Sequence, residues 1–470
     1  MTTPQPGCVN FIAGINMRVV LIPAFCFCLY TGLGQGVQLS IKDALQKVQS
    51  KFPQLEAYRQ QALASQQNIQ LAKNTIVPDF NAGYQLNLAT FNNITGMSYP
   101  GFLLPISGPP STSNDLNFVP GSAAGALIKW NPFTFGQRTA AIEKATAVFK
   151  QSNALYNEQL FQYQYTVINV YLEAVYYQQL LKSLQAVTDR NNIGLEQSLV
   201  LAKTGLRPGI DTAQFQSAIA QSEIDWLQAQ RICQQKLIEL SRLTVMDSVA
   251  DKLVLTDTVF VTPAAAMVDT IDTPETHPLY QTMQAQRTTT AAGLKEIQKA
   301  WMPQLDVWGN LYARGSGVEA SGQINKSNGF NLSRTNAGLG LQLSFPLLQF
   351  SVVNIKKKQY QSLLKADDAR LSQTALDIKK QIVAAVQQYR QDLKIAAKSP
   401  VLLKSATDVY EGLKLSYAAG LIDYTRLAEA QYGLLKAEVN DANMRLQLWR
   451  SLLAVAVAKG NLNLFTDQLK

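Results

Sequence analysis

The sequence Leu305-Asp306-Val307-Trp308-Gly309-Asn310-Leu311-Tyr312-Ala313-Arg314 alternates small or aliphatic residues with polar or aromatic ones. Successive side chains of a β-strand point to opposite faces, so this period of two predicts a strand with one apolar face. About ten residues is also the length of a strand that crosses a membrane in a β-barrel. A half-buried strand of a soluble sheet has the same local pattern, which leaves both possibilities open.

Three further segments alternate in the same way and bring the number of predicted strands to four. The strands are predicted at 78–88, 122–131, 303–314 and 336–345, and the second of these has the weakest alternation. The loops at 89–121 and 315–335 are rich in Asn, Gly, Ser and Pro. Four strands cannot close a barrel, since about eight are needed, and lipid does not tolerate an open sheet edge. A membrane sheet of this kind therefore requires oligomerisation, and three copies would supply twelve strands.

Very long helices are predicted after each pair of strands. Residues 137–204 contain no proline and a single glycine, Gly194, and their apolar residues recur every three or four positions. At 1.5 Å per residue, such a run forms a rod of roughly 100 Å. Two apolar stripes on this rod predict neighbours on both sides, which fits a ring of helices. The second long run contains Pro400, which predicts a kink near Ala396.

The chain repeats this order of elements. Pro53 corresponds to Pro278, 225 residues later (278 − 53), and Gly205 corresponds to Gly420, 215 residues later (420 − 205). We therefore predict two structurally equivalent halves. The predicted organisation is a first repeat at 35–245 with a helical hairpin at 137–244, a linker at 246–275, a second repeat at 276–460 with a hairpin at 352–458, and a tail at 461–470.

Residues 1–34 are predicted to be a signal region, with Met17 as the expected true start. Met17-Arg18 precedes a short apolar run, and Gly32 and Gly34 have the spacing of a cleavage site. An export signal favours the membrane interpretation of the sheet. No later segment contains 18 consecutive apolar residues, so a transmembrane helix is not expected.

The composition argues against an enzyme. Beyond the signal region the chain has one cysteine, Cys233, and one histidine, His277. His277 precedes Pro278 at a predicted helix start and is expected to be structural. Catalytic and metal-binding patterns are missing, and we predict no cofactor. The net charge of +9 is spread along the chain. We expect Lys356-Lys357-Lys358 to contact lipid headgroups or solvent, not nucleic acid.

One series of motifs carries a family resemblance: Tyr417-Ala418-Ala419-Gly420, Leu427-Ala428-Glu429-Ala430-Gln431, Ala442-Asn443-Met444-Arg445 and Lys459-Gly460. It resembles the second periplasmic helix-turn-helix of TolC-like outer-membrane efflux proteins, and Gly205–Asp211 resembles the first. The resemblance implies an α+β membrane protein that trimerises into a twelve-stranded β-barrel in the outer membrane of a Gram-negative bacterium. The barrel would continue into a periplasmic α-barrel of twelve helices. It also implies a periplasmic adaptor and an inner-membrane pump of the RND or ABC type. The expected adaptor-docking residues are Gly205, Leu206, Arg207, Gly420 and Leu421.

The resemblance also implies a gate at the periplasmic tip. In the family, bonds among a Tyr, an Asp and an Arg hold the inward-coiled helices closed. Tyr417 and Asp211 occupy the first two positions. Ile422 occupies the arginine position, so that link is expected to be absent. The predicted latch is therefore a single bond between Tyr417 and Asp211, formed either between the two halves of the chain or between protomers.

Two acidic rings line the family's aperture, and the corresponding positions here are Arg426 and Glu429. They form either a distinct selectivity filter or a structural ion pair at i,i+3. Asp423 is close enough in sequence to compete for Arg426.

The sequence thus predicts a trimeric outer-membrane exit duct that passes its cargo passively and is gated at the helical tip. The competing interpretation is an exported coiled-coil scaffold or adhesin with a soluble sheet. Within the first class, drug efflux and type I protein secretion remain open.

Overall fold

The computed structural model describes residues 37–90, 92, 113–205, 209–246, 253–256, 274–319 and 321–469. The predicted signal region, the docking residues Leu206 and Arg207, and most of the predicted linker lie outside the described residues. The strands are β1 (Val37–Leu39), β2 (Asp79–Ala89), β3 (Val119–Phe133), β4 (Leu253–Leu255), β5 (Gln304–Ser316) and β6 (Arg334–Ser344). The helices are α1 (Ile41–Lys51), α2 (Pro53–Asn74), α3 (Gln137–Lys203), α4 (Ile210–Leu243), α5 (Pro278–Lys299), α6 (Gln349–Ala396), α7 (Ser399–Ala418), α8 (Tyr424–Ala458) and α9 (Asn463–Thr466).

The four predicted strands form one antiparallel sheet in the order β2-β3-β5-β6. One face is apolar and exposed in the protomer: Leu339 is 84% and Phe80 66% accessible. The opposite face is polar, and the indole of Trp308 covers Gly338 and Gly340 there. Among the described residues, β2 and β6 have no further strand at their outer edges.

The strand β3 is longer than predicted, since it covers Val119–Phe133 instead of 122–131. Its outer residues include Gly121 and Pro132, which carry no alternation signal. The register with β2 and β5 defines these ends, apart from an irregularity between Trp130 and Phe133. The sequence pattern therefore underestimated a strand that is specified by its neighbours.

Two long helical hairpins continue the sheet. The first is α3 and α4, and α3 alone has 67 residues. The second is α6, α7 and α8. The predicted interruption is confirmed: α6 ends at Ala396 and α7 begins at Ser399, with Pro400 in its first turn, where a missing N–H costs no helical hydrogen bond. Among the described residues, no helix is long and apolar enough to cross a membrane.

The main core lies where the helices of both repeats meet. Tyr171 of α3 and Trp449 of α8 are fully buried there, and the Tyr171 hydroxyl donates to the Leu39 carbonyl at 2.8 Å. The predicted C-terminal tail contains α9, whose Phe465 packs edge-on against Trp449 at a centroid distance of 5.7 Å. The tail is thus part of the core.

His277 caps the start of α5. Its Nδ1 accepts a hydrogen bond from the Leu279 amide at 3.1 Å, and its Nε2 lies 3.2 Å from the Val457 carbonyl. Gly460, with φ of +67°, packs so closely that an added Cβ would lie 2.8 Å from the His277 Cα. The only histidine therefore connects the start of α5 to the end of α8.

This buried cap makes stability depend on pH. Burial lowers the pKa of His277, although the Val457 carbonyl opposes the shift. The unfolded chain, with a histidine pKa of about 6.5, takes up the proton first as the pH falls. Stability is therefore complete above about pH 6.5 and decreases below it.

In thermal unfolding of the detergent-solubilised protein, we expect His277→Asn, which keeps a capping acceptor, to lose less stability than wild type between pH 7.5 and 5.5. His277→Ala should cost about 0.5–2 kcal/mol at pH 7.5 and less at pH 5.5, where the wild type has itself lost stability. Equal losses in wild type and His277→Asn would assign the pH dependence to other groups.

Candidate aperture at the helical tip

The tip consists of the two turns that connect α3 to α4 and α7 to α8. Gly205 and Gly420 follow the ends of α3 and α7 with φ of +72° and +77°. In the second turn, the Gly420 amide donates to the Tyr417 carbonyl at 3.0 Å and the Leu421 amide to the Ser416 carbonyl at 2.9 Å. This is a Schellman motif, in which glycine adopts the left-handed conformation that other residues disfavour. The corresponding glycines of the two repeats therefore stop the helices.

The two candidate latch residues are in contact. Tyr417 in the last turn of α7 donates its phenolic hydrogen to Asp211 Oδ2 at 3.0 Å. Tyr417 is 1% and Asp211 7% accessible. A bond from a phenol to a buried carboxylate is stronger than a neutral one, because the acceptor is charged. It connects the second hairpin to the first.

An aromatic cluster surrounds this bond. Phe215 of α4 is fully buried, with ring centroids 6.2 Å from Tyr417 and 4.6 Å from Tyr424. Burial raises the pKa of Tyr424, and the charge of Asp211 adds to the shift. Ile422 packs against this cluster. The position where the family has an arginine is therefore used for apolar packing.

Phe215 occupies a space that Gly194 leaves open on α3. A Cβ built on Gly194 would lie 2.2 Å from Cε1 of the Phe215 ring. Glycine inside a helix costs roughly 0.5–1 kcal/mol relative to alanine. Close contact between the helices at this point explains the only glycine of α3.

A layer of polar contacts lies behind the aromatic cluster. Arg190 of α3 donates from both terminal nitrogens to the Glu438 carboxylate of α8, each at 3.1 Å, and its guanidinium lies 5.6 Å from the Tyr410 ring centroid. Asn191 accepts from Gln431 at 2.7 Å. Like the latch bond, these contacts connect the first hairpin to the second. Sequence reasoning missed them, although polar Asn191 within an apolar stripe was a signal.

Arg426 and Glu429 form an ion pair at 3.5 Å with side chains 71% and 64% accessible. Asp423 caps α8: its Oδ1 accepts a hydrogen bond from the Arg426 amide at 3.0 Å. Asp423 therefore bonds to the backbone of Arg426, whereas Glu429 pairs with the Arg426 side chain. An exposed pair of this kind is weak. Both charged groups therefore remain accessible to solvent.

Among the predicted docking residues that the structure describes, Gly205, Gly420 and Leu421 lie at the outermost end of the hairpins, and Leu421 is 77% accessible. The nearby Ile210 is 64% accessible. The tip thus presents apolar side chains as well as the polar pair.

These elements define a class of protein in which a four-stranded antiparallel sheet continues into two long helical hairpins. Residues 275–461 match the family model described as outer membrane efflux protein. No curated protein matches the sequence.

Solved outer-membrane proteins share the fold. The chain is 14% identical to the outer-membrane channel OprN, with 90% of each chain covered and a TM-score of 0.71. It is 13% identical to VceC from Vibrio cholerae, covering 90% of this chain and 96% of that one, with a TM-score of 0.69. For the CmeC outer membrane channel of Campylobacter jejuni, the identity is 13%, the coverage 89% and 85%, and the TM-score 0.69. The family match covers the second repeat and the fold matches cover both. Together they confirm the resemblance and the predicted protomer fold, and they support an outer-membrane efflux duct.

Proposed function

We propose that the chain is the protomer of a trimeric channel-tunnel, the passive exit duct of a tripartite efflux or type I secretion system. The observation that carries this proposal is the sheet β2-β3-β5-β6, which has an exposed apolar face and, among the described residues, two unpaired edges. In lipid such edges must pair. Three copies joined edge to edge give twelve strands, enough to close a barrel.

The helical hairpins supply the periplasmic part of the duct and its gate. The Tyr417–Asp211 bond and the aromatic cluster around Phe215 hold the two hairpins together at the tip. In this proposal that contact keeps the tip closed, and its release separates the hairpins. The apolar tip residues, including the exposed Leu421, then serve as the docking surface for a periplasmic adaptor. An inner-membrane pump of the RND or ABC type supplies the energy.

The proposal is tested by expressing the full chain with its signal region in a Gram-negative host. We expect the protein in the outer-membrane fraction, extracted only by detergent, with the mass of three chains by light scattering and with ion conductance in a planar bilayer. A water-soluble protein without conductance would instead establish the exported scaffold. The inner-membrane pump that co-purifies would distinguish drug efflux from protein secretion.

The aperture is tested by changing Arg426. Arg426→Asp should increase the preference for cations, because it replaces a ring of positive charge by a negative one beside Glu429. Reversal potentials in a KCl gradient measure the change. Arg426→Gln serves as the control: it breaks the ion pair without adding an acid and should give an intermediate shift. If reversal potentials are the same in all three proteins, Arg426 does not line the aperture.

A further inference from the structure

Two arginines face each other across the strands β5 and β6. Arg314 pairs directly with Arg334 in the antiparallel register, and both are exposed. By the alternation of the strand, Arg314 lies on the polar face with Trp308 and Tyr312. The pair lies at the end of the sheet farthest from the helices. Like charges directly opposite each other destabilise a sheet, so this arrangement calls for a physical explanation.

No acidic group compensates the pair within the described part of the chain. Neither guanidinium takes part in an ion pair or hydrogen bond there. The two acids of the nearby loops are engaged elsewhere: Asp115 Oδ1 accepts from the amide and the side chain of Asn117 at 2.9 and 2.7 Å, and Glu319 accepts from Asn328 at 3.3 Å. Residues 90–114 contain no charged residue at all.

The other end of the same face is organised differently. Lys129 lies 3.9 Å from the buried carboxylate of Asp306 and pairs in register with Asp79. A basic group near the helices therefore has acidic neighbours, whereas the two arginines at the far end have none among the described residues. The polar face becomes more positive from the helical end to the far end.

We propose that Arg314 and Arg334 form a binding site for oxyanions, namely the carboxylate, phosphate or sulfate groups of a cargo molecule. Directly opposed residues of an antiparallel pair have Cα atoms about 4.5–5.5 Å apart, so both guanidinium groups can reach one anion. Arginine binds such groups through two parallel hydrogen bonds, and a bound anion removes the repulsion within the pair. This inference rests on the proposed function for the position of the site: in a trimeric barrel the polar face lines the lumen, and three copies place six arginines around its outer mouth.

The test uses inorganic pyrophosphate as the probe. In planar bilayers, pyrophosphate added to either side should reduce the current through the wild-type channel. The variant Arg314→Gln/Arg334→Gln should require a roughly tenfold or higher concentration for the same reduction, since the lost bonds to a charged group are worth more than about 1.4 kcal/mol. The matched control is Lys356→Gln/Lys358→Gln, which removes two positive charges from α6 and should behave as wild type. Equal inhibition of all three proteins would overturn the proposal.

A second measurement needs no conduction. Millimolar pyrophosphate should raise the midpoint of thermal unfolding of the detergent-solubilised protein more for wild type and the lysine variant than for the arginine variant. An equal rise in all three would overturn the site even if the protein forms no channel. If pyrophosphate raises the midpoint more for wild type than for the arginine variant but the protein does not conduct ions, the site is supported and the duct is contradicted. A specific rise combined with a current that pyrophosphate leaves unchanged would overturn the placement in the lumen and assign the site to anionic lipid headgroups.

Discussion

Asp211→Ala is expected to raise the single-channel conductance of the resting duct. The change removes the carboxylate that accepts the Tyr417 phenol at 3.0 Å. It leaves a phenol that is 1% accessible without this acceptor. A hydrogen bond to a charged group contributes about 1.5–3 kcal/mol, and this loss falls on the closed tip, where the bond exists. The ratio of open to closed tips should therefore increase by roughly 10- to 150-fold. Planar bilayer recordings at low voltage measure this ratio.

The comparison between Asp211→Asn and Tyr417→Phe isolates the bond from its surroundings. Asp211 also lies in the first turn of α4, where a negative charge stabilises the helix. Asparagine loses that charge but keeps an oxygen that can accept the phenol, so its conductance should lie between wild type and Asp211→Ala. Phenylalanine at position 417 keeps the ring against Phe215 and removes only the donor. If Asp211→Ala and Tyr417→Phe both conduct as wild type does, the closed state is held by other contacts.

The latch could be found from the sequence because each partner stands at a fixed distance from a glycine that ends a helix. Asp211 lies six residues after Gly205, and Tyr417 lies three before Gly420. The structure places Asp211 and Tyr417 in contact, as the resemblance implied. Their role in gating remains a prediction. Local spacing is informative here because the turn fixes the positions of the residues around it.

The contacts that the sequence did not reveal join residues that are distant along the chain. Arg190 and Glu438 are 248 residues apart, and nothing in either helix distinguishes them from other solvated charges. Their pairing depends on how α3 and α8 are aligned, which is a property of the packed hairpins. The same is true of the sheet. The alternation identified the strands, but only the register of β5 and β6 places Arg314 opposite Arg334.

The sequence shows that a glycine, Gly194, stands inside a long helix, but it does not show why. A glycine in a 67-residue helix has a cost in helix propensity, and the sequence alone offers no compensation for it. The compensation is the Phe215 ring of α4, which occupies the volume of the missing side chain. Phe215 in turn packs against Tyr417 and Tyr424. A small residue on α3 thereby sets the position of the aromatic side chains that surround the latch.

Gly194→Ala is therefore expected to open the tip, although alanine favours the helix. The new methyl group would lie 2.2 Å from the Phe215 ring, so the ring must move. Overpacking of this kind costs about 1–3 kcal/mol, which exceeds the gain in helix propensity. Because Phe215 contacts Tyr417, its displacement also disturbs the bond to Asp211. We expect the conductance of Gly194→Ala to rise to a level similar to that of Tyr417→Phe, with a lower thermal stability of the solubilised protein.

Two further variants make this prediction specific to the contact with Phe215. Gly412→Ala on α7 is the matched control, because nothing lies within 4 Å of an added Cβ there; it should conduct as wild type does and be as stable or up to about 1 kcal/mol more stable. Phe215→Leu provides the partner for a double-mutant cycle. If the clash is the cause, Phe215→Leu should reverse part of the Gly194→Ala effect, giving a coupling energy of about 0.5–3 kcal/mol. Additive effects of the two changes would show that Gly194 acts on the tip through another neighbour. If the Gly194→Ala channel stays closed, the position of Phe215 does not control the gate.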